Sequence, residues 1–120
     1  MTAAAPVQAA TEPPKARKKA FRHVCPECAV TFIGARDTRF CTTAHKDSFW
    51  NREAKRGKVA MPLMRAWRGG RGSGDVARYA FTELCALADR WNAEDRDAGR
   101  LSAVEFVRPK MRQGWKAADL

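Results

Sequence analysis

Residues 24–45, with the sequence VCPECAVTFIGARDTRFCTTAH, hold three of the four cysteines and one of the two histidines of this 120-residue chain. Cys25, Cys28, Cys41 and His45 follow the spacing CxxC, twelve residues, CxxxH. Two thiolates separated by two residues can reach one tetrahedral ion from a tight turn, and a Cys and a His separated by three residues can reach it from the first turn of a helix. The spacing therefore predicts a zinc site with these four ligands.

The residues between the two ligand pairs are typical of a short hairpin. Val30 and Phe32 alternate with Thr31 as strand residues do, and Gly34 and Asp37 favour a turn. Residues 38–40 are then predicted to return as the second strand.

Two alternatives to this metal site follow from the same residues. Clustered cysteines can be buried thiols or a disulfide, but residues 1–11 do not resemble a secretory signal, and a reducing cytoplasm favours metal binding over pairing. His23, two residues before Cys25, competes with His45 as fourth ligand. We favour His45 because a ligand in the first helical turn completes the geometry of known sites. We expect a cytoplasmic protein.

The CPEC turn, a hairpin ending in Arg39-Phe40-Cys41 and a helix carrying the fourth ligand together resemble treble-clef zinc fingers. The resemblance is to the branch with a Phe-Cys-Ser signature, here Phe40-Cys41-Thr42, and it covers residues 23–57. Two positions depart from that pattern. Ala29 stands where a Gly often follows the turn, and His45 replaces the commoner fourth Cys. The resemblance implies a treble-clef-like hairpin plus helix around a structural zinc ion. Farther along the chain, the stretch WNAEDRDAGR, residues 91–100, resembles the tails of short bacterial proteins.

The positive charge is concentrated in one part of the chain. The net charge is +10. Residues 15–72 contain fifteen Lys and Arg against four Asp and Glu, a net of +11, whereas residues 73–120 contain eight of each. The sequence contains no apolar stretch long enough to cross a membrane. Such an asymmetry points to an acidic partner of the N-terminal part of the chain.

We divide the chain into four regions. Residues 1–22 are predicted to be a disordered basic arm, residues 23–57 the zinc finger, residues 58–108 a helical extension packing on it, and residues 109–120 a flexible tail. The predicted fold class is a small mainly-α zinc-binding domain, with the hairpin and its helix followed by two or three helices.

Helical periodicity supports this division. A helix is predicted over residues 43–56 that ends at Gly57, followed by a short helix over residues 61–68. The longest helix is predicted over residues 75–98, with an apolar stripe at the 3.6-residue period. That stripe comprises Val76, Tyr79, Ala80, Leu84, Leu87, Ala88 and Trp91.

The expected shared core comprises Trp50, Leu63, Trp67, Leu84, Leu87 and Trp91. Ser102 and Glu105 have the spacing of a capping box.

Two functions fit these features. The first is non-specific binding of DNA or RNA, in which a basic surface contacts phosphates. Its residues are predicted to be Arg36, Arg39, Arg52, Lys55 and Arg56. The second is a structural zinc domain that mediates a protein contact or dimerisation through the helical half. Catalysis is not expected, because an ion held by four protein ligands has no open position for water. We expect no membrane and no small-molecule substrate as partner.

Overall fold

A computed structural model of the protein describes residues 20–72 and 74–119. Residues 1–19 of the predicted basic arm, which was assigned to residues 1–22, therefore lie outside the described residues. No helix in the described part of the chain is long and apolar enough to cross a membrane.

The hairpin consists of two antiparallel strands, β1 (Phe21–Val24) and β2 (Thr31–Gly34). The prediction of a second strand over residues 38–40 is wrong, because these residues form no strand. The CxxC turn itself closes the hairpin: the Cys25 N–H donates to the Val30 carbonyl at 2.9 Å. The strand after the turn therefore pairs with residues before Cys25, and the metal-binding turn forms the hairpin tip.

Helix α1 (Thr43–Gly69) begins at Thr42, whose side chain caps the helix by accepting from the His45 N–H. The predicted end at Gly57 and the separate helix over residues 61–68 are wrong, since one helix of 27 residues runs through both Gly57 and Pro62. Residues spaced three or four apart form one face of α1 that is buried or half-buried along this length. Its members are Phe49, Glu53, Arg56, Ala60, Leu63 and Trp67.

Helix α2 (Asp75–Asp97) confirms the predicted helix, although its 23 residues make it shorter than α1. Its packed face begins at Ala77 and Ala80, which are buried, whereas Val76 and Tyr79 are 51% and 64% exposed. Ala88 is exposed as well, so the prediction of Val76, Tyr79 and Ala88 in the packed stripe is wrong. Small alanines at the start of α2 are the side chains that allow close packing against α1 just after the connecting loop.

Helix α3 (Ala103–Arg112) is capped by Ser102, whose hydroxyl accepts from the Glu105 N–H at 3.1 Å, as the capping-box spacing predicts. The helix continues through Pro109, where the flexible tail was predicted to begin. A short 3-10 turn (Ala117–Asp119) follows.

A cluster of buried side chains lies at the end of the molecule that holds the four Cys and His side chains. It consists of Cys25, Phe40 and Phe49, with half-buried Phe32 and Phe106 packed against it. The prediction of Trp50 in the core is wrong, because this side chain is 50% exposed. The other residues of the predicted core are half-buried along α1 and α2. The observed fold, a two-stranded hairpin followed by three helices beside a Cys3His cluster, confirms the predicted class of small mainly-α zinc-binding domain.

Candidate metal centre

The first two ligands lie in the turn between β1 and β2. The turn is closed by the hydrogen bond from the Ala29 N–H to the Cys25 carbonyl, at 2.7 Å. Ala29 adopts φ 61°, a left-handed conformation that costs a residue with a Cβ about 1 kcal/mol. The departure from Gly at this position therefore leaves the turn intact but strained.

The other two ligands lie on either side of the start of α1. Cys41 immediately precedes the capping residue Thr42, and His45 lies in the first helical turn. The Thr42 hydroxyl accepts a hydrogen bond from the His45 N–H. This cap fixes the first turn of α1, which carries the His45 imidazole.

The four side chains converge. Their donor atoms all lie within 4.8 Å of one another. The Cys28 and Cys41 sulfurs are 3.6 Å apart, and His45 Nδ1 lies 3.2 Å from the Cys41 sulfur and 3.8 Å from the Cys25 sulfur. In a tetrahedral zinc complex, neighbouring sulfurs are separated by about 3.8 Å, and a sulfur and a nitrogen by about 3.5 Å. The cluster therefore has the dimensions required to hold a tetrahedral metal ion.

The competing ligand, His23, lies outside this cluster. Its Nε2 donates to the Ala35 carbonyl at 2.8 Å, and its ring stacks obliquely on Phe32 at 5.4 Å. The structure thus places His45, and not His23, with the three cysteines. His23 instead contacts Phe32 and Ala35.

The surroundings shift the pKa values of Cys25 and Cys41 in opposite directions. Burial raises the pKa of Cys25, but hydrogen bonds from the Cys41 backbone and His45 outweigh burial and lower this pKa to about 6. Burial and the neighbouring sulfurs raise the pKa of Cys41 to about 11. Thiolates this close repel one another, so a bound cation would favour their ionised forms.

An ion pair holds the CxxC turn against α1. Both terminal nitrogens of Arg52, on α1, donate to the carboxylate of Glu27, which lies between the two cysteines of the turn. Both side chains are mostly buried, and the hydrogen bond from Arg52 lowers the pKa of Glu27. The Leu101 N–H also donates to the Pro26 carbonyl at 3.0 Å. The turn is therefore attached to α1 and to the segment before α3.

A second ion-pair cluster joins α1 to the end of α2. Arg56 donates to both oxygens of Asp95 at 3.0 Å, and its guanidinium lies 5.5 Å from the centre of the Trp91 ring. Arg100 donates to the same carboxylate at 2.8 Å. Burial alone raises the pKa of Asp95, but the hydrogen bonds from Arg56 and Arg100 outweigh it and hold this pKa below its ordinary value.

The five predicted nucleic-acid-binding residues occupy two kinds of environment. Arg36, Arg39 and Lys55 are exposed and form no ion pair within the described residues. Arg52 and Arg56 are half-buried in the two ion-pair clusters, so the structure does not bring all five to one solvent-exposed face. Sequence reasoning missed their partners, since the contacts of Arg52 with Glu27 and of Arg56 with Asp95 join residues 25 and 39 positions apart.

No known protein family, curated protein or solved structure matches this chain. The class of protein is therefore defined by the fold and the site alone. It is a small mainly-α domain in which a hairpin turn and the start of a helix form a Cys3His cluster that can hold a metal ion.

Proposed function

We propose that the protein is a zinc-binding module whose basic surface binds the phosphate backbone of nucleic acid. Zinc is the metal we assign because it favours tetrahedral sites made of cysteine thiolates and histidine. Four protein ligands would close the coordination sphere, so we assign the ion a structural role and not a catalytic one.

The observation that carries the nucleic-acid proposal is the set of unpaired cations between residues 20 and 72. Nine Lys and Arg in this range are exposed and have no carboxylate partner within the described residues: Arg22, Arg36, Arg39, Lys46, Lys55, Lys58, Arg65, Arg68 and Arg71. Of the four carboxylates in the same range, Glu27 and Glu53 are paired with arginines, which leaves Asp37 and Asp47. This surface therefore carries a large excess of positive charge.

Unpaired surface cations favour polyanions because each phosphate contact releases counterions. Such contacts position a protein on nucleic acid without specifying its sequence. We therefore assign non-specific binding, with Arg36, Arg39 and Lys55 among the contacting residues and Arg52 and Arg56 as supports of the fold.

The test is a titration of the zinc-loaded protein against fluorescent duplex DNA and structured RNA at several salt concentrations, read by fluorescence anisotropy. We expect the logarithm of the affinity to fall linearly with the logarithm of salt concentration, with a slope of roughly −0.9 per duplex phosphate neutralised. Equal affinity for unrelated sequences supports the proposal. Absence of binding at low salt refutes it.

A protein contact through the helical half is the second candidate, favoured by one specific observation. Val104, Val107 and Met111 recur at helical spacing on α3 and are 63%, 53% and 67% exposed. An apolar stripe this exposed is typical of a contact surface. Sedimentation measurements over a range of protein concentrations test for self-association, and a monomer at every concentration removes dimerisation from consideration.

A further inference from the structure

The continuity of α1 creates a surface that two shorter helices would not. The helix runs unbroken from Thr43 to Gly69, a length of about 40 Å at 1.5 Å per residue. Beyond Gly57, one side of it is half-buried against α2 through Ala60, Leu63 and Trp67, whose ring lies 5.4 Å from that of Phe81. The opposite side of this second half consequently faces solvent.

Four cations are arranged along that solvent-facing side. At 100° per residue, Lys58 and Arg65 point within about 20° of each other, and both lie roughly opposite the packed residues Leu63 and Trp67. Lys55 and Arg68 flank them within about 60° on either side. All four side chains are exposed. They span thirteen residue steps, about 20 Å along the helix axis.

Nothing acidic interrupts this row. The sequence contains no Asp or Glu from residue 54 to residue 74, and none of the four cations forms an ion pair within the described residues. Ala54, Pro62 and the exposed Met61 lie on the same side of the helix, and none of them carries a negative charge that would repel a polyanion. The row is therefore free to bind phosphates along its length.

The geometry favours a double helix over a single strand. Proteins that bind single strands stack bases on exposed aromatic rings. Along the row itself, residues 55–68, the one aromatic residue is Trp67, which packs against Phe81. Trp50, five residues before the row, is 50% exposed, but its ring packs edge-on against that of Phe49 at 4.9 Å. A rigid row of cations about 20 Å long instead matches a duplex, which carries one phosphate charge per 1.7 Å or so of its axis. Recognition would thus depend on charge and rigidity.

We infer that the outward face of α1, comprising Lys55, Lys58, Arg65 and Arg68, is the principal surface that binds the phosphate backbone of a nucleic-acid duplex. This inference rests on the proposed function and names the partner and the residues. It also assigns separate roles to the arginines of α1, since Arg65 and Arg68 bind phosphate whereas Arg52 and Arg56 hold the turn and α2 in place.

The test compares three double charge reversals that change the net charge equally. K58E/R65E alters the outward face, R36E/R39E alters the exposed arginines after β2, and R78E/R90E alters exposed arginines of α2 as a control. Each zinc-loaded variant is titrated against a duplex and a single strand of the same sequence, with circular dichroism and zinc content measured alongside. K58Q/R65Q provides a milder variant if K58E/R65E does not fold.

We expect K58E/R65E to weaken duplex binding about tenfold at low salt and to reduce the salt slope by about 1.8, the value for two lost phosphate contacts. R78E/R90E should leave the slope unchanged. If the parent binds duplex but K58E/R65E and K58Q/R65Q bind equally well, the inference is wrong and the proposed function stands. If the parent binds no nucleic acid, the proposed function itself fails. Tighter binding to the single strand than to the duplex overturns the choice of partner.

Discussion

Replacing Arg56 with alanine should destabilise the protein far more than an ordinary surface substitution. Arg56 donates to both oxygens of Asp95, and the two side chains are only 10% and 13% exposed. Its partners Glu53 and Glu94 are 38% and 55% exposed, so those pairs contribute little. The cost of the substitution therefore arises mainly from leaving Asp95 buried with one cation fewer.

The magnitude follows from what remains around Asp95. Removing one partner of a buried ion pair costs about 3–5 kcal/mol. Arg100 still donates to Asp95 at 2.8 Å in the variant, which compensates part of the loss. We therefore expect a decrease of about 2–3 kcal/mol in the free energy of unfolding.

The matched control is Arg96→Ala on α2, the helix that carries Asp95. Arg96 and Asp97 are 74% and 78% exposed and 3.8 Å apart, so their ion pair is fully accessible to water. Urea denaturation of both variants with zinc in excess measures the difference. A midpoint for Arg56→Ala equal to that for Arg96→Ala would refute the reasoning.

The pH dependence provides a second readout of the same cluster. Because the pKa of Asp95 is lower in the folded protein than its ordinary value, the unfolded chain takes up this proton first as the pH falls. The stabilisation from Asp95 is complete above the ordinary pKa of an aspartate, and it is lost as the pH falls through the folded value. The difference in stability between the parent and Arg56→Ala should accordingly shrink on acidification. A constant difference across that range would contradict the role given to the ion pair.

The remaining predictions concern the metal site. The purified protein should contain one zinc ion per chain, and Cys41→Ser should lose both the ion and the folded finger, because ligand binding supplies on the order of 10 kcal/mol of folding free energy in comparable sites; stoichiometric zinc in that variant would contradict this. His45→Ala should reduce zinc content and affinity, measured by competition with a chelator, whereas His23→Ala should retain the ion. Ala29→Gly should stabilise the zinc-loaded protein by about 0.5–1 kcal/mol, since glycine adopts the left-handed conformation without the strain of a Cβ. An unchanged or lower urea midpoint would mean that the turn is not strained.

The set of residues at the metal site could be predicted because its constraints are local. Cys25 and Cys28 are held together by a four-residue turn, and Cys41 and His45 by one helical turn, so covalent spacing alone brings each pair to one ion. Capping follows the same logic, as Ser102 and Thr42 contact groups only three residues away. The existence of α2 was predicted from an apolar periodicity that runs from Val76 to Trp91, within the helix observed over Asp75–Asp97.

Only the tertiary structure decided the course of the chain between these local features. Gly57 and Pro62 each disfavour a helix interior, by about 1 and 3 kcal/mol, which is why a break was expected there. Both halves of α1 nevertheless pack along α2, and that shared packing keeps the helix continuous through residues that locally oppose it. The outward row of cations exists because of this continuity.

The roles of the arginines likewise could not be predicted from the sequence. Arg52 and Arg56 belong to the same run of positive charge as Lys55 and Lys58, and composition does not distinguish them. Their partners, Glu27 and Asp95, lie far away along the chain. Whether a cation faces solvent or pairs with a buried carboxylate depends on which distant segments pack together. Composition therefore determined how much positive charge this part of the chain carries, and the fold decided which residues present it to solvent.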